Sequence, residues 1–169
     1  AKFQFKNLGL NVEKMMDSAG EAVDGTAYSL ADSASLASRF AATGVKAGPA
    51  MVTSLRAVAG AAAMTGAGFS EIGDVFADVQ ASGVAMAGDF GRLEARGLSA
   101  KKVLVDYYKE VKKGEKIQVG SGKTGRSVKA KDLTQSDIGV MASKRQISAK
   151  DFAAAMDKAL DGGGNIRVL

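Results

Sequence analysis

The chain has 169 residues, a length at which one domain is the default and two are possible. Hydrophobic residues make up 46% and charged residues 24%, so a core can be buried, but 30 alanines, 6% aromatics and no Trp point to thin, closely packed helices. Neither Cys nor His is present, which excludes disulfides, thiolate nucleophiles, Cys/His metal sites and the usual general base near neutral pH.

The first ten residues, Ala1 to Leu10, hold no apolar run of signal-peptide length and no initiator Met. Residues 1–24 are expected to form a helical lead-in, with a short amphipathic helix from Asn11 to Val23 carrying Val12, Met15, Met16, Ala19 and Val23 at helical spacing. Gly25 stops it, and Thr26 is a candidate cap for the next helix, Ala27 to Thr43. There Leu30, Ala34, Ala37, Phe40 and Ala41 share a stripe, ended by Gly44. Pro49 suits a first helical turn, and Met51, Leu55, Val58 and Ala62 are inward candidates of the helix behind it.

The charge-poor stretch from Ala47 to Ser70 has to be weighed as a membrane span. Arg56 at its middle would cost about 3 kcal/mol in a bilayer, and Pro49, Gly60, Gly66 and Gly68 interrupt it, so a buried helix is expected instead. Ser70 is the candidate cap of a helix with Ile72, Val75, Phe76 and Val79 inward, stopped by Gly83. A shorter helix is expected from Ala87 to Ala95 with Phe90 and Leu93 inward. Ser99 then caps one with Val103, Leu104, Tyr107 and Val111 on a single face. Towards the end, Thr134 caps Gln135 to Lys144 and Ser148 caps Ala149 to Leu160, with Asp151 placed as in a capping box. Gly162 to Gly164 read as a linker or flexible end (162–169) of a larger protein.

One segment alternates instead. Lys116 to Val119 and Arg126 to Lys129 flank a glycine-rich turn and read as a β-hairpin inserted near residues 115–130. The expected fold is therefore mainly α, a multi-helix bundle with one basic hairpin, its main domain spanning residues 25–161. The turn, Gly120-Ser121-Gly122-Lys123-Thr124-Gly125, resembles a phosphate loop only superficially, because the first required glycine is Ile117 and no helix follows.

The basic character of the chain belongs to this segment. From Lys112 to Lys131 seven cations stand against the single acid Glu115, a local net of +6 in a chain of net +5. Lys112, Lys113, Lys116, Lys123, Arg126, Lys129 and Lys131 form a candidate contact patch for nucleic-acid phosphates or an acidic partner. No aromatic residue interleaves them, so contact with nucleic acid would be blind to sequence. Glu71, Asp74 and Asp78 make an acidic stripe on the polar side of their helix, where a solvated face is expected rather than acid–base chemistry. The chain offers no candidate catalytic residue, cofactor site or metal-ligand cluster, and a non-enzymatic role is expected.

Gly25-Thr26-Ala27-Tyr28 leads to Thr43-Gly44-Val45-Lys46-Ala47-Gly48, then to Leu55 through Gly66 and Phe69 through Phe76. Gly83 with Met86, Arg96-Gly97-Leu98, and Gln146-Ile147-Ser148 with Phe152 and Met156 complete an ordered series over about Val23 to Leu160. This series resembles the N-terminal region of the tape measure proteins of long-tailed bacteriophages and prophages. Two departures stand out: the link from about Lys113 to Thr134 is longer and more basic than the family's, and Arg145 stands where the pattern has Gly. The resemblance implies a non-catalytic tail component that helps set tail length and assemble the tail. It would reside in the host cytoplasm during assembly and afterwards in the virion tail. Implied partners are tail tube, tail tip and assembly-chaperone proteins, or its own copies. A nucleic-acid-contacting module using residues 112–131 is the alternative, and a membrane-active helical protein a more distant one.

Overall fold

Helical periodicity resolves into eight α-helices among the residues that the computed structural model describes, 12–26 and 28–159. They are α1 (Val12–Val23), α2 (Leu30–Ala42), α3 (Pro49–Thr65), α4 (Phe69–Ser82), α5 (Ala87–Glu94), α6 (Ala100–Val111), α7 (Gln135–Ser143) and α8 (Ala149–Asp157). Strands β1 (Lys116–Val119) and β2 (Arg126–Lys129) pair antiparallel between α6 and α7, inside the expected window. The fold is mainly α with one hairpin. The expectations for residues 1–11 and 160–169, for Ala27 and for the Val12 side chain lie outside the described residues.

A single cluster of buried residues runs through every helix and both strands, from Met15 and Ala19 of α1 to Phe152 and Met156 of α8. Alanine gives it its character. Ala57, Ala61 and Ala62 of α3 are fully or almost fully buried, and side chains this small let α1, α2, α4 and α8 all pack on α3. Gly73 of α4 serves the same end, for a Cβ there would meet Leu36 Cδ2 of α2 at 3.1 Å. Bulk is supplied locally by Phe152, whose ring lies 5.2 Å from Phe76 and 5.7 Å from Phe90. The N-terminus of α8 is fixed by a two-residue bridge in which Ala85 N–H donates to Ile147 O and Ala149 N–H to Gly83 O, each at 2.9 Å. Between α6 and α8, the buried Tyr108 hydroxyl donates to Asp151 Oδ2 at 3.4 Å.

Helix starts differ from expectation at three places. Thr26 does not cap α2: its hydroxyl donates back to Val23 O at 2.7 Å, closing α1, and Ser29 accepts the Asp32 N–H instead. Ser70 lies inside α4, which begins one residue earlier behind Gly68. Ser99 occupies the N-cap of α6 but makes no side-chain cap bond. Ser148 does cap α8, yet Asp151 leaves the return half of the box open, its carboxylate being turned to Tyr108. Three residues expected to face inward are exposed: Leu30 at the first turn of α2, Val111 at the last of α6, and Ala159, which the expected helix to Leu160 would have buried but which lies past the end of α8. The buried face of α6 is offset by one residue from the expected one and runs through Leu104, Val105 and Tyr108.

Three helix ends share one geometry. In α2, Val45 N–H reaches back to Phe40 O while Gly44 N–H reaches Ala41 O; after α5, Leu98 N–H and Gly97 N–H do the same with Leu93 O and Glu94 O. These paired bonds are the Schellman closure, which needs a left-handed residue. Gly44 (φ 103°) and Gly97 (φ 91°) supply it. After α7 the same closure runs from Gln146 to Met141 and from Arg145 to Ala142, but the left-handed residue is Arg145, at φ 57° the only non-glycine with positive φ among the described residues. A side chain in that region costs about 1–2 kcal/mol.

Replacing Arg145 by Gly relieves this strain, partly offset by the greater freedom of glycine in the unfolded chain. The variant should be more stable by about 0.5–1 kcal/mol in urea unfolding. The second expected outcome concerns pH. Burial, with the Asp151 charge and hydrogen bond, pushes the Tyr108 hydroxyl well above the usual tyrosine value of 10.0. The unfolded chain therefore loses this proton first as pH rises past about 10, and stability falls there. Between pH 8 and 10.5, Tyr108→Phe should lose about 1 kcal/mol less stability than the parent chain, because only the parent carries this ionisation.

Candidate contact surface on the basic hairpin

Strand parity decides what each residue of the hairpin can do. The register pairs Lys116 with Lys129, Ile117 with Val128, Gln118 with Ser127 and Val119 with Arg126. Alternate pairs face opposite sides, so Ile117, Val119, Val128 and Arg126 share one face while Lys116, Gln118, Ser127 and Lys129 share the other. Val119 and Val128 are buried and Ile117 packs against the core, which makes theirs the inner face.

Arg126 therefore lies on the inner face, apart from the outward lysines, although its side chain stays 58% exposed. Its guanidinium forms an ion pair with Asp137 in the first turn of α7, a carboxylate whose side chain is only 4% exposed. The second oxygen of Asp137 accepts the Thr134 N–H at 3.0 Å, while the Thr134 hydroxyl accepts the Asp137 N–H at 3.2 Å. One carboxylate thus caps a helix and anchors a strand. A second anchor comes from α7's other end. Gln146 grips both backbone groups of Gly120, accepting from its N–H and donating to its C=O, each at 2.8 Å. Glu115 O accepts the Ala130 N–H at 2.9 Å and closes the base of the hairpin.

The turn that follows β1 holds a single short 3-10 turn, Gly122–Thr124, and leads into β2 rather than a helix. It lacks the helix N-terminus that a phosphate loop uses. Gly125 is required for another reason: a Cβ there would come within 2.9 Å of Ser121 Cα.

The other six cations of the patch remain at the surface. Lys112 and Lys113 close α6, Lys123 sits in the turn, Lys131 follows β2, and Lys116 and Lys129 stand directly across from each other on the outer face. None of the six forms an ion pair with a described carboxylate. Sequence reasoning missed the two anchors, Asp137 and Gln146, and the neighbours Lys144 and Arg145, which lead straight into Gln146. Arg126 was legible in principle, since it stands two residues before the apolar Val128.

The acidic stripe on α4 is exposed, as expected, but it is engaged. Asp74 pairs with Arg39 of α2 at 2.8 Å, Asp78 with Arg92 of α5 at 2.8 Å, and Glu71 with Arg96. Arg92 also holds Asp89, a 6% exposed residue that accepts the Met86 N–H at 2.8 Å. Among the described residues no group of three or more acids is placed to hold a metal ion. No described helix is long and apolar enough to cross a membrane.

Asp137→Ala removes the cap of α7 and the partner of Arg126 together. A loss of about 2–3 kcal/mol in urea unfolding is expected, with faster hydrogen exchange in residues 116–129 than elsewhere. Uniform loss of protection across the chain would show instead that the hairpin and body open as one unit.

No family model, no curated protein and no solved structure matches the chain.

Proposed function

We propose that this chain is a non-catalytic structural and assembly segment of a phage tail tape measure protein, working with tail tube, tail tip and chaperone proteins to set tail length. The observation that carries the reading is at Arg145. The resemblance places Gly at this position, and the backbone there is left-handed, the conformation that glycine adopts without strain. Arginine thus occupies a site shaped for the family's residue.

Further support comes from the two Gly-Val and Gly-Leu turns quoted for the resemblance. Gly44-Val45 and Gly97-Leu98 both take the Schellman closure, so these dipeptides have a structural task at helix ends. The mainly helical fold suits a family whose members are long and largely helical. A scaffold role also fits the carboxylates of α4, which are spent on arginine partners rather than aimed into a cleft.

The reading is tested by the open reading frame that surrounds this segment. A long helical frame beside tail tube genes is the expected result. A short stand-alone gene remote from any tail gene would discard the tail role.

A further inference from the structure

We infer that the outer face of the hairpin, with the cations that flank its base, binds the phosphate backbone of nucleic acid without regard to sequence. This goes beyond the tail reading and does not depend on it.

Charge on this surface is left uncompensated, whereas six cations elsewhere are matched. Arg39, Arg92, Arg96, Lys101, Lys102 and Lys158 all sit on a carboxylate. The hairpin does the opposite, placing Lys116 and Lys129 in one cross-strand pair, an arrangement that destabilises a sheet when the charges are alike. Lys123 in the turn and Lys112, Lys113 and Lys131 at the base extend the surface, with Glu115 and Asp132 the only acids in the stretch. The outer face is also held rigidly. Asp137 and Gln146 lock the inner face and the end of β1 to α7, so its lysines are presented on an anchored ribbon and not on a floppy loop.

A second, independent feature lies at the same anchor. Arg145, exposed and left-handed, immediately precedes the glutamine that grips Gly120, with Lys144 before it. The chain thus holds a cation at a position where glycine would relieve the backbone strain.

The composition of the face selects the partner. Gln118 and Ser127 are its other residues, so it has no apolar or aromatic anchor of the kind that carries the energy of a protein interface. A phosphate backbone needs none, since cations that displace its condensed counterions supply the affinity. The absence of aromatics removes base stacking and with it sequence preference.

The test uses the full 169-residue chain and a fluorescent 30-base-pair duplex, with anisotropy read from 50 to 200 mM salt. Binding at 50 mM salt is expected, equal for two unrelated sequences and falling steeply as salt rises. The triple variant K116Q/K123Q/K129Q should bind at least about tenfold more weakly at 50 mM, with the log–log salt slope shallower by about 2–3. Its folded state should be as stable as the parent's or more so, because the repelling Lys116–Lys129 pair is gone. Arg145→Gly should bind about threefold or more weakly while unfolding at higher urea, a split that a purely structural residue would not give. Arg126→Gln should lose stability yet keep the parent salt slope. No binding at 50 mM, or a slope unchanged in the triple variant, overturns the inference. So would poly-glutamate binding as tightly as the duplex with the same loss in the triple variant, which would put an acidic protein on this surface. Full affinity in Arg145→Gly removes that residue from it.

Discussion

A buried carboxylate holds the two parts of this protein in a fixed relation. Asp137 is 3% exposed, and a charge in that position is tolerated only with partners on all sides. One oxygen takes the Thr134 N–H at the start of α7, and the other takes Arg126 from β2. Helix and strand are therefore mutually contingent: without β2 the carboxylate lacks its cation, and without the first turn of α7 the arginine has nothing to reach. A two-stranded hairpin alone is marginal in water. Here it becomes a fixed feature because its inner face ends in that ion pair and its turn is gripped by Gln146.

The remaining packing works with little bulk. Alanine-lined contacts around α3 bring helices close but bury little area per residue, so orientation has to come from elsewhere. Arginines from α2 and from α5 and its end reach the single acidic row on α4 and fix the three helices in register. Exposed pairs of this sort contribute about 0–1 kcal/mol each, so they specify geometry more than they stabilise it. They also match Arg39, Arg92 and Arg96 with carboxylates, whereas Lys116 and Lys129 face each other as like charges on the hairpin.

Most of this could be read in the sequence, and the failures share a cause. The existence of each helix follows from its 3.6-residue spacing, and Gly83 and Gly97 mark ends that the chain does adopt with positive φ. Misjudgements arose where one local signal had two uses. Thr26 and Ser70 are hydroxyl residues at plausible starts, yet Ser29 lies closer to α2 and Gly68 leaves α4 with no side-chain cap at all. Leu30 and Val111 fit their stripes, but both fall on the outermost turn of a helix, beyond the neighbours that would cover them. The patch was legible as a composition and illegible as a surface. Charge counting treats Arg126 like the lysines around it, and only pairing with Val119 shows that it shares the inner face, beside Asp137.

The distinction changes what the basic segment is. Seven like charges in a flexible link would serve as a diffuse attractant, sampling many arrangements. With Arg126 paired to Asp137, six lysines stand on and around a ribbon whose geometry is set by the helical body. Ordering these side chains on a fixed strand face lowers the conformational cost of engaging a charged partner, which is what preorganisation contributes to affinity. Arg126 has a task within the chain: paired with Asp137, it fixes the orientation of the strand whose other face carries Lys129 opposite Lys116.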